Sequence, residues 1–133
     1  MANWRLTSQT VHNITEALDA GVWGENRATT LAPFTTGDRL AFYCSRQWRG
    51  FVATGRVTGA VFRSDDRIWM TGLYPFRIPI RVDEGPSDKP IEPSAVLEHL
   101  GQTRFEHAAP RKGVIPLTDR EFKAIEELLR AIA

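Results

Sequence analysis

Hydrophobic and polar positions along the chain repeat with two periods, and the switches between them mark the elements. Residues Trp4 to Thr7 read as a short first strand. From Thr10 to Ala20, Val11, Ile14, Ala17 and Leu18 fall at helical spacing, and Gly21 stands where the helix would stop. Asn13 with Glu16 offers an alternative capping box, which leaves the helix start open by a turn. Val22 to Thr36 shows neither period, and Gly24, Pro33 and the following Gly37 mark a long loop of the kind that carries function.

Three strands follow. In Leu40 to Ser45, Leu40, Phe42 and Cys44 share one face and Ala41, Tyr43 and Ser45 the other. In Phe51 to Phe62, Phe51, Ala53, Gly55 and Val57 oppose Val52, Thr54, Arg56 and Thr58, and Gly55 and Gly59 predict bulges or sharp coiling. In Phe76 to Val82 the alternation is strict, with Phe76, Ile78, Ile80 and Val82 inward and Arg77, Pro79 and Arg81 outward. Pro79 donates no ladder bond, which predicts an edge strand or a bulge. Asp83 to Pro93 reads as a surface connection, Ser94 as the cap of a helix over Ala95 to Leu100, and Thr103 to Glu106 as a short strand. Thr118 with Glu121 forms a capping box for a last helix, whose stripe Phe122, Ile125, Leu129 and Ile132 needs a surface to cover. This order predicts an α+β fold: one domain over residues 1–133, built on a curved, mainly antiparallel barrel with helices packed at its ends.

At 133 residues with 42% hydrophobic and 25% charged positions, the chain has the makeup of a globular domain rather than a disordered one. No apolar run reaches membrane-span length, and Met1 to Leu6 lacks the features of a signal peptide. A single cysteine excludes an internal disulfide framework and fits a reducing, cytoplasmic setting. Charge is uneven: eight arginines against two acids between residues 39 and 82, with acidic excess on both sides. Arginine outnumbers lysine fourteen to three overall. The block reads either as a phosphate-facing surface or as the solvated face of a sheet.

Catalytic patterns are few. His12, His99 and His107 are scattered without metal-ligand spacing, and there is no phosphate-binding glycine loop, dinucleotide fingerprint or nucleophile elbow. Cys44 alternates in phase with Leu40 and Phe42, as a core thiol would, and Asp65 and Asp66 lie in a charged hairpin tip. No metal or cofactor site is expected, and a binding domain is preferred to an enzyme. The aromatic residues carry more. Trp4 lies on the first strand, Trp23 opens the long loop, and Trp48 sits in the basic turn Arg46-Gln47-Trp48-Arg49. Such rings either stack on a base or close the barrel end. Trp69, ahead of Tyr74-Pro75-Phe76-Arg77, reads as structural.

These segments, in this order, resemble the EVE family of the PUA-like superfamily, which also holds the YTH, ASCH and PUA domains. The likeness is carried by Asn3-Trp4, Ala20-Gly21-Val22-Trp23-Gly24, the run from Phe34 through Gly37-Asp38 to Ser45, Phe51 to Thr58, and Tyr74 to Ile78. It extends through the terminal helix after Pro116-Leu117-Thr118. Members of this type are viewed as readers of modified bases, often 5-methylcytosine or its oxidised forms in DNA, while YTH relatives read methylated adenine in RNA. The resemblance implies a base pocket from Asn3 and Trp4, Trp23 and Gly24, and Tyr43 with Ser45, with Trp48 just beyond. On this reading Trp4, Trp23 and Trp48 supply ring surfaces, Ser45 and amides near Gly24 read the base edge, and Arg46, Arg49 and Arg77 hold phosphates. The partner is nucleic acid, with a restriction or methyltransferase protein acting alongside. Two departures stand out: the 22–36 loop lacks a run of aromatics, and the 133 residues hold no nuclease domain. The alternatives are an RNA-binding module for tRNA or ribosomal RNA, a small enzyme or metabolite binder using the same pocket, and a partner-docking domain.

Overall fold

Thr10 settles the first helix. Its hydroxyl accepts the Asn13 N–H at 3.2 Å, so Thr10 is the N-cap of α1 (Val11–Ala20) and the Asn13–Glu16 box does not form. Gly21, at φ +71°, closes the helix in the left-handed conformation that glycine adopts most readily. The computed structural model describes residues 1–107 and 113–132. Ahead of α1 runs β1 (Asn3–Ser8). After it the expected loop contains structure of its own: β2 (Val22–Glu25) and the short α2 (Ala28–Leu31). Then come β3 (Arg39–Cys44), β4 (Gly50–Val57), the two-residue β5 (Phe62–Arg63) and β6 (Phe76–Glu84). The chain finishes with α3 (Pro93–Leu100), β7 (Val114–Leu117) and α4 (Asp119–Ile132).

The strands form one curled sheet in the order β2-β6-β4-β3-β1-β7, with β5 beside β6. The sheet is mixed rather than purely antiparallel, because β1 pairs with β3 in parallel through the α1-β2-α2 crossover. Both faces are covered. On one side Leu6, Phe42, Val52 and Ile78 pack with Ile14 and Leu18 of α1 and Leu31 of α2. On the other, Ala41, Phe51 and Leu117 pack with Val96 of α3 and Phe122, Ile125 and Leu129 of α4. Each large apolar side chain so buried contributes roughly 1.5–3 kcal/mol. Ile132, the last residue of the expected stripe, stays 40% exposed. No helix among the described residues is long and apolar enough to cross a membrane.

Other departures have local causes. Ser94 does not cap α3, which starts one residue earlier on Pro93, while the Ser94 hydroxyl turns to Glu92. Thr103 to Glu106 forms turns instead of a strand: the buried Glu121 carboxylate takes the Glu106 N–H at 2.9 Å while completing the capping box with Thr118. Pro79 lies in an internal strand, but at the point where β4 leaves it. Thr58 N–H donates to the Pro79 carbonyl, and the next ladder bond, from Ile80 N–H, goes to Gly21 on the opposite side. The bulge expected at Gly55 is present as a register shift, and a Cβ there would stand 2.2 Å from the Arg81 carbonyl oxygen.

Candidate functional site

The sheet's outer strands are β2 and β7, and they approach each other near one end of β1. Gly113 accepts the Thr7 N–H at 2.8 Å and lies opposite the Glu25 carboxyl, 3.9 Å from where a glycine Cβ would stand. A cavity of about 310 Å³ opens beside this seam. That is the small end of the roughly 300–1,000 Å³ usual for ligand pockets. One wall is the end of β1 and the start of α1, from Thr7 to Thr10 with Asn13. The second is β2, through Trp23, Gly24 and Glu25. The third is the loop ahead of β6, through Trp69, Thr71 and Tyr74.

The third wall is held in an uncommon shape. Tyr74 sits at φ +46°, a left-handed backbone that bulky residues rarely adopt, and its ring meets Trp69 edge-on at 5.4 Å. Its hydroxyl hydrogen-bonds Thr71 Oγ1 at 3.0 Å, and that oxygen also accepts from Asn13 Nδ2 at 2.9 Å. Trp69 Nε1 donates to the Asn13 carbonyl at 3.0 Å, tying the loop to α1. Arg77 fixes it from beneath. The residue is 2% exposed, its guanidinium bonds the carbonyls of Asp66, Leu73 and Tyr74, and it lies 5.3 Å from the Trp69 ring centre. Gly24 completes the fit, since a Cβ there would stand 2.7 Å from the Trp69 ring and 2.8 Å from Tyr74 Cβ.

Polar groups on the wall lack partners among the described residues. Trp23 is 5% exposed, yet its Nε1 has no hydrogen bond to any of them, and neither does the buried Thr7 Oγ1. Burial raises the Glu25 carboxyl to about 7, and the Trp23 indole N–H draws it partway back without reaching hydrogen-bond geometry. Buried polar atoms left unpaired cost about 1–3 kcal/mol each, and two of the six such side-chain atoms among the described residues, Thr7 Oγ1 and Trp23 Nε1, border this hollow, where a bound ligand can pair them.

The residues expected to form one pocket are separated. Trp23 and Gly24 are on the cavity wall. Asn3 and Trp4 lie toward the other end of β1: Trp4 Nε1 donates to Asp38 at 3.0 Å, its ring packs edge-on against Phe34, and Asn3 Nδ2 donates to Asp119 at 2.7 Å. Tyr43 belongs to the opposite face of the sheet, against Phe51 and under Arg5. Ser45 touches the site from outside by donating to the Ser8 carbonyl. Trp48 is half-buried against the inner core near the cavity rather than in it. The same turn leans on α1, where Gln47 Oε1 accepts the Val11 N–H at 2.8 Å, and this places exposed Arg46 and Arg49 beside the β1–α1 wall. Neither arginine forms an ion pair among the described residues. Arg77 is no phosphate ligand, because backbone carbonyls occupy its guanidinium.

Trp69, which the sequence reads as structural, and Tyr74, to which it assigns no pocket role, are wall residues. Their signal was the Trp69-Met70-Thr71-Gly72-Leu73-Tyr74-Pro75 spacing, two rings flanking a glycine turn. Glu25 carried no pattern at all. Among the described residues, no cluster of three His, Cys, Asp or Glu side chains is placed to hold a metal ion.

The curled sheet with helices on both faces resembles the fold of YTH domains. Solved structures similar to it include a hypothetical protein from Leishmania major (TM-score 0.72, 15% identity, covering 99% of this chain and 96% of that one). The Mmi1 YTH domain in complex with RNA is also similar (TM-score 0.70, 11% identity, 98% and 78%). So is a Rhodopseudomonas palustris protein solved by NMR (TM-score 0.63, 20% identity, 100% and 96%). No family model and no curated protein matches the sequence.

Proposed function

We propose that this chain is a nucleic-acid reader domain that takes one unpaired or flipped modified base, of the 5-methylcytosine type in DNA, into the cavity between β1, β2 and the Trp69–Tyr74 loop. The observation that carries this reading is the cavity itself: aromatic rings (Trp23, Trp69 and Tyr74) on two of its walls, unpaired polar atoms, and two arginines without ion pairs among the described residues on the turn that leans on α1. Its resemblance to EVE domains supports the choice of base. We read the protein as a binder rather than a catalyst, with restriction or methyltransferase proteins as its functional partners.

The energetics fit such a role. Leaving a duplex stack costs a few kcal/mol, and stacking on a ring returns about 1–3 kcal/mol per base. A buried methyl adds roughly 0.8 kcal/mol, which discriminates only modestly. Phosphate contacts must supply much of the affinity, and Arg46 and Arg49 are the residues positioned for them.

A second reading, RNA as the bound strand, is favoured by one observation: a similar fold, that of the Mmi1 YTH domain, has been solved with RNA. Titrating methylated, hydroxymethylated and plain oligonucleotides, as DNA and RNA, single- and double-stranded, separates the two. The expected result is preference for a modified base and a loss of about tenfold in Tyr74→Ala, from the removed stacking surface. Equal affinity for every strand, untouched by Tyr74→Ala, would sink the proposal.

A further inference from the structure

Glu25 is the lone carboxylate on the cavity wall, and the described residues give it no ion pair or side-chain hydrogen bond that meets normal geometry. Its surroundings explain why. Across the strand pair lies Phe76, and beside it Gly24 faces Arg77, whose guanidinium is committed to carbonyls. The β1 wall offers Thr7, Ser8 and Gln9, none of which titrates. Of α1, only Asn13 reaches the cavity wall, and the titratable His12 and Glu16 are paired with each other. The 69–74 loop contributes the Tyr74 hydroxyl, held by Thr71, and the β7 side contributes Gly113. Just past its own strand, Arg27 stands at the N-cap of α2 and is exposed. The carboxyl therefore meets the cavity with the unpartnered Trp23 indole N–H beside it, a donor within a mostly apolar ring wall.

The chemistry of that pair selects a form of the ligand. A carboxylic acid that keeps its proton offers one donor and one acceptor side by side. A carboxylate offers acceptors only. Cytosine and adenine present a ring-nitrogen acceptor next to an exocyclic amine, which the acid form matches at both atoms. Guanine presents two adjacent donors on its ring nitrogen and amine, which the ionised form matches instead.

Resting on the reader function proposed above, we propose that Glu25 reads the bound base through its protonated carboxyl, donating to the ring nitrogen and accepting from the exocyclic amine of a cytosine- or adenine-type base, so that binding is coupled to proton uptake. No covalent bond changes; the proton comes from solvent and stays on the carboxyl. Because Glu25 titrates near 7, that coupling falls in the physiological range.

The test uses single-stranded oligonucleotides identical except for a central 5-methylcytosine, guanine or abasic site, titrated from about pH 6 to about pH 9. For the 5-methylcytosine strand, wild-type affinity should fall, approaching about tenfold per pH unit above pH 7, while the guanine strand shows no such fall. Glu25→Gln, whose amide keeps a donor and an acceptor, should retain binding and lose the pH slope. His12→Gln should keep that slope. Calorimetry of the wild type in buffers of different ionisation enthalpy should show proton uptake on binding near pH 7, and needs no folded variant. PH-independent binding, a slope that survives Glu25→Gln, or zero proton uptake overturns this inference and leaves the reader function standing. Absence of binding by any strand at any pH overturns both.

Discussion

The two ends of β1 carry similar residue types and come to opposite uses. At the Asn3–Trp4 end, Trp4 Nε1 has Asp38, Asn3 Nδ2 has Asp119, and Asp38 also takes backbone N–H groups from Ala2 and Thr35. At the Ser8 end, Thr7 Oγ1 and Trp23 Nε1 have no partner among the described residues, and Glu25 is shifted toward its neutral form. Both ends contain a tryptophan, a threonine or asparagine, and a carboxylate. What differs is what the unpaired atoms face. At the Asn3–Trp4 end Asn3 Oδ1 and Arg39 Nε also lack partners among the described residues, but they sit inside a network anchored on Asp38 and Asp119, whereas at the Ser8 end the unpaired atoms border a hollow that can admit a ligand.

The largest expected effect comes from breaking the support of the open end. Arg77→Ala removes a buried cation from three carbonyls, and should cost about 3 kcal/mol or more in denaturant unfolding as well as oligonucleotide binding. Arg77→Lys should not restore either, since a single ammonium cannot reproduce the planar fork. Stability unchanged in Arg77→Ala would show that the Trp69–Tyr74 loop holds itself.

The next effect is a pH signature of Glu25. Its folded value of about 7 exceeds the ordinary 4.5, so the folded state holds the proton more tightly. Stability is then greatest below about pH 4.5 and declines as pH rises through about 7, by at most about 3 kcal/mol from this group. Unfolding measured across that range should show the decline in wild type and its removal in Glu25→Gln; parallel curves for the two proteins would contradict the assignment.

The comparison is sharpened by the same substitution at each end. Trp4→Phe takes a donor from Asp38 and should cost about 1–2 kcal/mol of stability with oligonucleotide affinity unchanged. Trp23→Phe deletes an N–H that has no hydrogen bond of normal geometry among the described residues, so its stability cost, about 1–2 kcal/mol, should come from lost ring packing, while oligonucleotide affinity drops. Thermal melts and titrations on both variants read this directly, and a reversed pattern would exchange the roles of the two ends. Smallest is the pair Arg46→Gln and Arg49→Gln, each expected to flatten the salt dependence of single-strand binding by about 0.7 in log–log slope without altering stability. An unchanged slope would remove these arginines from the interface.

Much of the architecture was legible along the chain because it depends on neighbours in sequence. The Thr118–Glu121 box, the Gly21 helix stop and the alternation of β3 are set within a few residues. The 22–36 segment misled because β2 is a four-residue strand whose ladder is supplied entirely by β6. Arg77 misled because strict alternation assigns it to solvent, whereas the backbone carbonyls of the preceding loop make a polar interior for it. The site was half legible: Trp23 and Gly24 line it, but Asn3, Trp4 and Tyr43 do not.

Local patterning thus determined three of the four helices among the described residues, most strands, the buried thiol and the basic middle of this protein, since caps and periodicity act over one or two turns. The placement of the cavity was decided by tertiary structure alone. It arises where the curled sheet brings β2 beside the end of β1 and a distant loop folds over Gly24, and no spacing rule encodes which polar atoms that closure leaves unpaired.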